Sequence, residues 1–98
     1  MEYLLENGIS KEVFEYLKES CDDFKTNIIE TNEDRIVDVI NYLRDFGIQN
    51  EKIEELLFMN IDFFLKKISD IESVFNKYNK DEIVKLLNTD IDLINRIF

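Results

Sequence analysis

The sequence predicts an all-α domain, organised as a short, right-handed, solenoid-like array of helical repeats. Proline is absent and the only glycines are Gly8 and Gly47, so few residues interrupt a helix. Apolar residues recur at helical spacing, and no segment alternates as a strand does. In addition, similar segments return after roughly 30 to 40 residues, an interval that is typical of helical repeats.

The repeats are defined by two pairs of similar segments. Residues 3–9 return 39 positions later as residues 42–48, with tyrosine, leucine, glycine and isoleucine at matching places. The apolar positions of residues 53–62 return 30 positions later in residues 83–92. We therefore expect about two and a half repeats within residues 1–98, forming a single domain that presents a binding surface.

Capping residues predict the helices of the first half. Ser10 is expected to cap a helix that runs to about Cys21, followed by a less regular stretch over residues 23–30. Thr31, with Asp34 three residues later, resembles a capping box that opens the clearest helix.

Glycines and further caps predict the remaining helix ends. Gly47 is expected to end the clearest helix in a left-handed conformation, and Gly8 holds the same place after a shorter N-terminal helix. Later helix ends are predicted at Asn50 and Asn60, at Ser69 with Glu72, at Asn79 with Glu82, and at Thr89 with Asp92, with a short turn or helix at Phe63, Phe64 and Leu65. The buried face of the helix at Ser69 is expected to comprise Ile71, Val74, Phe75 and Tyr78. The helix that Asn79 begins contains Ile83, Leu86 and Leu87.

At these residues the chain resembles the mitochondrial transcription termination factor (mTERF) family. The matching order is a helix, a glycine with an apolar residue, an isoleucine, a Leu-Leu pair and an Asn or Asp followed by apolar residues, as in Gly47-Ile48, Ile53, Leu56-Leu57, Asn60 and Phe63-Phe64. The sequence departs from the family pattern at Ile61 and Ile91, where the family has proline. The resemblance implies a solenoid that binds nucleic acid through a basic concave face.

Composition favours a protein partner over nucleic acid. The chain holds 22 acidic and 12 basic residues, for a net charge of −10. Such a surface repels phosphate backbones and anionic lipids. The first 49 residues, with 12 acids and 5 bases, carry −7 of this charge, so a basic patch is expected only in the second half.

Targeting signals are also lacking. No apolar run is long enough to span a membrane, and the first residues do not resemble a signal or transit peptide. Cys21 is the single cysteine, which excludes an internal disulfide and fits a reducing compartment. The expectation is therefore a cytoplasmic protein without membrane attachment, or one that has already lost a leader.

The residue types disfavour catalysis and cofactor binding. Histidine is absent, and the acids near Cys21 are expected to blunt its thiol as a nucleophile. Paired carboxylates are frequent, but most lie at predicted helix starts, where they favour the helix dipole. No glycine-rich phosphate loop or EF-hand loop occurs. We therefore predict a non-enzymatic protein with no cofactor and no metal.

One acidic stripe is a candidate partner-binding surface. Glu12, Glu15, Glu19 and Asp22 recur at helical spacing on one face of the helix that Ser10 begins. This stripe either docks a basic partner segment or is simply a solvated face, as charged runs usually are.

Two further surfaces are candidates in the second half. The lysines that flank Tyr78, with an earlier pair, either contact phosphates or offset nearby acids while Tyr78 is buried in the core; they are Lys66, Lys67, Lys77 and Lys80. The apolar C-terminus ends in Phe98, which either folds back onto the core or forms an interface, for example in a homodimer.

Overall fold

A computed structural model describes residues 1–98 as an all-helical chain measuring 37 × 23 × 23 Å. Helices take up 79% of the residues, and there are no strands. The chain forms eight α-helices and two short 3₁₀ helices. The α-helices are α1 (Tyr3–Glu6), α2 (Lys11–Ser20), α3 (Asp23–Thr31), α4 (Glu33–Phe46), α5 (Asn50–Met59), α6 (Ile68–Phe75), α7 (Lys80–Thr89) and α8 (Ile94–Ile97), and the 3₁₀ helices are Ile61–Leu65 and Ile91–Leu93. None of these helices has both the length and the apolar character needed to cross a bilayer.

Several predicted helix ends are confirmed. The Ser10 hydroxyl accepts a hydrogen bond from the Val13 N–H at the start of α2, and the Asn79 side chain accepts one from the Glu82 N–H at the start of α7. Gly47 ends α4 with a φ of +116°, and Gly8 follows α1 with a φ of +91°. Both glycines therefore occupy the left-handed region that side chains disfavour.

The prediction for residues 23–30 is wrong. The stretch expected to be irregular forms α3, whose first turn is capped by Asp22 through the Lys25 N–H at 2.8 Å. Because α3 runs up to Thr31, the hydroxyl of Thr31 donates to the Asn27 carbonyl and does not begin α4. The predicted capping box with Asp34 is thus absent.

Three other predicted caps are displaced. Gln49 precedes α5 as its N-cap, while the Asn50 side chain donates to the Gly8 carbonyl. Lys67 precedes α6, so Ser69 and Glu72 lie within the helix. Thr89 belongs to α7, and Asp90 caps the second 3₁₀ helix in its place.

A single apolar core joins the helices. It comprises 23 buried residues drawn from nearly every element, including Leu17, Leu56 and Phe75. Tyr78, which is predicted to be buried, is 43% exposed, and Leu86 on α7 is 52% exposed. Tyr78 lies in the turn after α6. Because the helix has ended at Phe75, the helical spacing no longer places Tyr78 on the buried face.

Local structure recurs at the repeat interval. The helices α2, α5 and α7 each have ten residues, and the residue after each donates its N–H to Leu17, Leu56 or Leu86 respectively. Asn60 and Asp90, 30 positions apart, have similar backbone angles near φ −150° and each caps a 3₁₀ helix.

The turns before α2 and α5 are each held by the next ten-residue helix. The Ser10 N–H donates to Glu54 Oε2 of α5 at 2.7 Å, and the Gln49 N–H donates to Asn88 Oδ1 of α7 at 2.8 Å. The glycine carbonyls in the same turns accept hydrogen bonds from Asn50 and Asn88. The same type of contact therefore joins successive parts of the chain twice.

Candidate functional site

A groove between α1 and the start of α4 is the one cavity of the structure, with a volume of about 420 Å³. Four of its seven lining residues are acidic and none is basic. We call this site the acidic groove; its lining residues are Tyr3, Glu6, Asn7, Glu33, Asp34, Val37 and Asp38.

The helices fix the carboxylates of the acidic groove. Glu33 and Asp34 lie in the first turn of α4, where their charge favours the helix dipole. Asp38 follows Asp34 by four residues, so both side chains lie on one face of α4. Glu6 approaches from α1, whose position is fixed by the Tyr3 hydroxyl donating to the Ile29 carbonyl at 2.7 Å.

The acidic groove has a negative local potential. None of its four carboxylates lies in an ion pair, because the N-terminal ammonium pairs with Glu2 and Glu30 and the remaining ion pair joins Lys52 to Glu55. Burial raises the pKa of the Tyr3 phenol, and the carboxylates of Glu33 and Glu30 raise it further. The charge at this site is therefore available to a cationic ligand.

The acidic groove is absent from the sequence predictions. The Glu33-Asp34 pair is predicted at a helix start, where the structure also has it, but its proximity to Glu6 is not predicted. The available signal was the spacing of Asp34 and Asp38, which places both on one face of a helix. The approach of α1 depends on tertiary packing and has no local signal.

In the predicted acidic stripe, three glutamates lie on α2 and Asp22 follows that helix, and all four side chains are exposed. The side chains of Glu12, Glu15, Glu19 and Asp22 make no ion pair. Asp22 also caps α3, so its carboxylate has a structural role in addition to its charge. The stripe lies outside the acidic groove.

Phe98 folds back onto the core. Its ring packs edge-on against Phe63 at 5.0 Å and against Phe75 at 5.6 Å, measured between ring centroids. Lys66 Nζ lies 5.6 Å from the Phe98 centroid, within the range of a cation–π contact. The C-terminus was expected either to fold back onto the core or to form an interface. These contacts correspond to the first alternative.

The four candidate lysines do not form a continuous stripe. Lys66 and Lys67 precede α6, whereas Lys77 and Lys80 follow it, and a helix of eight residues is about 12 Å long. Lys80 Nζ lies 5.5 Å from the ring centroid of Phe46. None of the four is in an ion pair.

The residues that could carry chemistry are dispersed. Burial raises the pKa of the Cys21 thiol, with a lowering contribution from Lys25 and a raising one from Asp22. No three Asp, Glu or Cys side chains are grouped so as to hold a metal ion.

Comparisons of the chain with models of known protein families, with curated proteins and with solved structures find no match.

Proposed function

We propose that this chain is a non-enzymatic helical-repeat module that binds a lysine- or arginine-rich segment of a protein partner in the acidic groove. The observation that carries this proposal is the groove itself, a concavity lined by four unpaired carboxylates and no basic side chain. A cationic side chain entering the groove would find carboxylates from two helices, α1 and α4.

The character of the acidic groove favours a charged segment over an apolar small molecule. Only Tyr3 and Val37 contribute apolar surface among its lining residues, whereas ligand pockets for small molecules are predominantly apolar. Exposed carboxylates contribute mainly to the rate and specificity of association, and salt screens them. Binding is therefore expected to weaken as ionic strength rises.

The repeat array and its mTERF-like character belong to the same proposal. The repeat array is supported by the recurrence of ten-residue helices at matching positions and by two contacts between successive turns and helices. The mTERF-like character is proposed on the sequence resemblance alone. A cytoplasmic location is also proposed, on the ground that Cys21 is the single cysteine.

Nucleic-acid binding is the second candidate function. One observation favours it: Tyr78 is 43% exposed between Lys77 and Lys80, where its ring is free to stack on a base. The net charge of −10 opposes it. A gel-shift titration with single-stranded DNA and RNA would support this candidate if it shows complexes near physiological salt that Tyr78→Ala abolishes.

Fluorescence anisotropy with a labelled octa-arginine peptide tests the main proposal. Charge reversal in the double variant Asp34→Lys/Asp38→Lys is expected to raise the Kd at least about tenfold. The matched control is Glu12→Lys/Glu19→Lys on α2, which changes the net charge equally and is expected to have a smaller effect. If both variants lose the same affinity for the peptide, binding depends only on the overall charge of the chain. That result would contradict a specific binding site in the acidic groove.

A further inference from the structure

Asn7 is the one asparagine of the chain that a glycine follows. The chain holds ten asparagines, and at the other nine the next residue carries a side chain. An asparagine deamidates when the backbone nitrogen of the next residue attacks the carbon of its side-chain amide. Glycine hinders that attack least, because it has no Cβ and a wide range of backbone angles. The Asn7-Gly8 pair is therefore the position at which the sequence most favours this reaction.

The folded chain holds the reacting atoms of this pair apart. Asn7 follows α1 with a ψ of 24°. At this angle the Gly8 nitrogen lies on the side of the Asn7 Cα–C bond that faces away from Cβ, so it cannot reach Cγ. The Asn7 amide is also held, since its Nδ2 donates to the Tyr3 carbonyl at 2.8 Å. The Gly8 N–H is engaged as well, because it donates to the Leu5 carbonyl at 3.3 Å.

Side chains from two other helices hold the same turn. Arg44 Nη2 on α4 donates to the Asn7 carbonyl at 2.9 Å, and Asn50 Nδ2 on α5 donates to the Gly8 carbonyl at 2.9 Å. The Arg44 guanidinium packs closely on Gly8, where an added Cβ would lie 2.7 Å from Nη2. The attack on Asn7 therefore requires that α1 and this turn first open locally.

We propose that Asn7 is a modification site at which the chain deamidates itself when α1 opens, and that the closed fold withholds this reaction. In the open state the Gly8 nitrogen loses its proton and forms a bond to Asn7 Cγ. The Cγ–Nδ2 bond breaks, and the amide nitrogen takes up that proton and leaves as ammonia. One water molecule then hydrolyses the cyclic imide at either of its two carbonyls. The products are aspartate and isoaspartate at position 7.

Both products lose contacts that hold α1 in place. A carboxylate has no N–H, so an acid at position 7 no longer donates to the Tyr3 carbonyl and instead faces it with a second acceptor. Isoaspartate also lengthens the main chain by one carbon, which displaces the carbonyls that Arg44 and Asn50 hold. Because α1 carries Tyr3 and Glu6, the conversion loosens one side of the acidic groove. The chemistry at Asn7 does not depend on what the acidic groove binds.

Peptide mapping by mass spectrometry after incubation at mildly alkaline pH tests the proposal. The folded wild-type chain is compared with the same chain in guanidinium chloride. In the denaturant, Asn7 is expected to convert faster than each of the other nine asparagines. In the folded chain, its conversion is expected to be at least about tenfold slower, because only the locally open fraction reacts. Equal rates in the two states, or no preference for Asn7 in the denaturant, overturn the proposal.

Two variants test whether the opening of α1 controls the reaction. Tyr3→Phe removes the hydroxyl that donates to the Ile29 carbonyl, and Arg44→Gln removes the guanidinium that donates to the Asn7 carbonyl. Each is expected to raise the rate of Asn7 conversion in the folded chain severalfold and to leave the rate in guanidinium chloride unchanged. Tyr42→Phe, which removes a hydroxyl on α4 outside this turn, is the matched control and is expected to change neither rate. If both test variants convert Asn7 no faster than the wild type while folded, the proposal is wrong.

Discussion

Replacing Gly47 with alanine is expected to lower the free energy of unfolding by about 2–3 kcal/mol. The φ of +116° places any side chain in a disfavoured backbone region, at a cost of about 1–2 kcal/mol. The added Cβ would also lie 3.2 Å from Val84 Cγ1, closer than ordinary van der Waals contact, and overpacking of one methyl group costs about 1 kcal/mol or more. The melting temperature should fall by roughly 10–20 °C in a domain of this size.

Urea denaturation followed by circular dichroism measures this loss. Asp45→Ala, two residues earlier and exposed, is the control and is expected to change stability by less than about 0.5 kcal/mol. The double variant Gly47→Ala/Val84→Ala should lose about 1 kcal/mol less stability than the sum of the two single variants. The smaller side chain at position 84 relieves the close contact but not the backbone strain. A Gly47→Ala variant as stable as the wild type would refute the assignment of this turn.

Three further outcomes are expected. Glu54→Ala should destabilise the chain by about 1–3 kcal/mol, because the Ser10 N–H loses its acceptor, and Glu54→Gln should lose less in the same urea titration. Phe75→Ala should cost about 3–5 kcal/mol and remove near-ultraviolet dichroism from the rings around it, namely Tyr42, Phe46 and Phe98; an unchanged spectrum would argue against this packing. Since the pKa of Tyr3 is raised in the folded state, its contribution to stability is present below about pH 10 and is lost as the pH rises further; Tyr3→Phe should flatten this alkaline loss, whereas an equal slope in both proteins would contradict it.

Helix boundaries were predicted correctly from local sequence where a single residue determines the end of the helix. Gly47 requires no tertiary information to end α4, since only glycine adopts its φ without strain. Ser10 and Asn79 cap their helices through hydroxyl and amide groups adjacent to the N–H groups that they satisfy. The all-helical class follows from such signals and from the absence of proline.

Other helix ends were predicted wrongly because competing caps lie close together. Thr31 resembles a cap, yet α3 continues to it and only Asn32 separates α3 from α4. Ser69 with Glu72 matches the capping pattern, yet α6 begins one residue before Ser69, at Ile68. The pattern alone does not determine which of two neighbouring residues begins a helix.

Exposure and the candidate site depend on which parts of the chain meet. Leu86 holds the same place in α7 as Leu56 holds in α5, yet Leu86 is 52% exposed and Leu56 is fully buried. Likewise, the acidic groove combines Glu6 with acids that lie about 30 residues away, and no local pattern relates α1 to α4. The net charge predicts an acidic surface, but it does not predict where on that surface the acidic groove lies.

Amide chemical-shift mapping of the ¹⁵N-labelled chain, titrated with the octa-arginine peptide, tests the proposed function most directly. The proposal predicts that the largest shifts, suppressed by added salt, occur at the acidic groove, at Tyr3 and along residues 33–38 of α4. Shifts concentrated on α2 over residues 12–22, or spread evenly over all exposed acids, would contradict a binding site in the acidic groove.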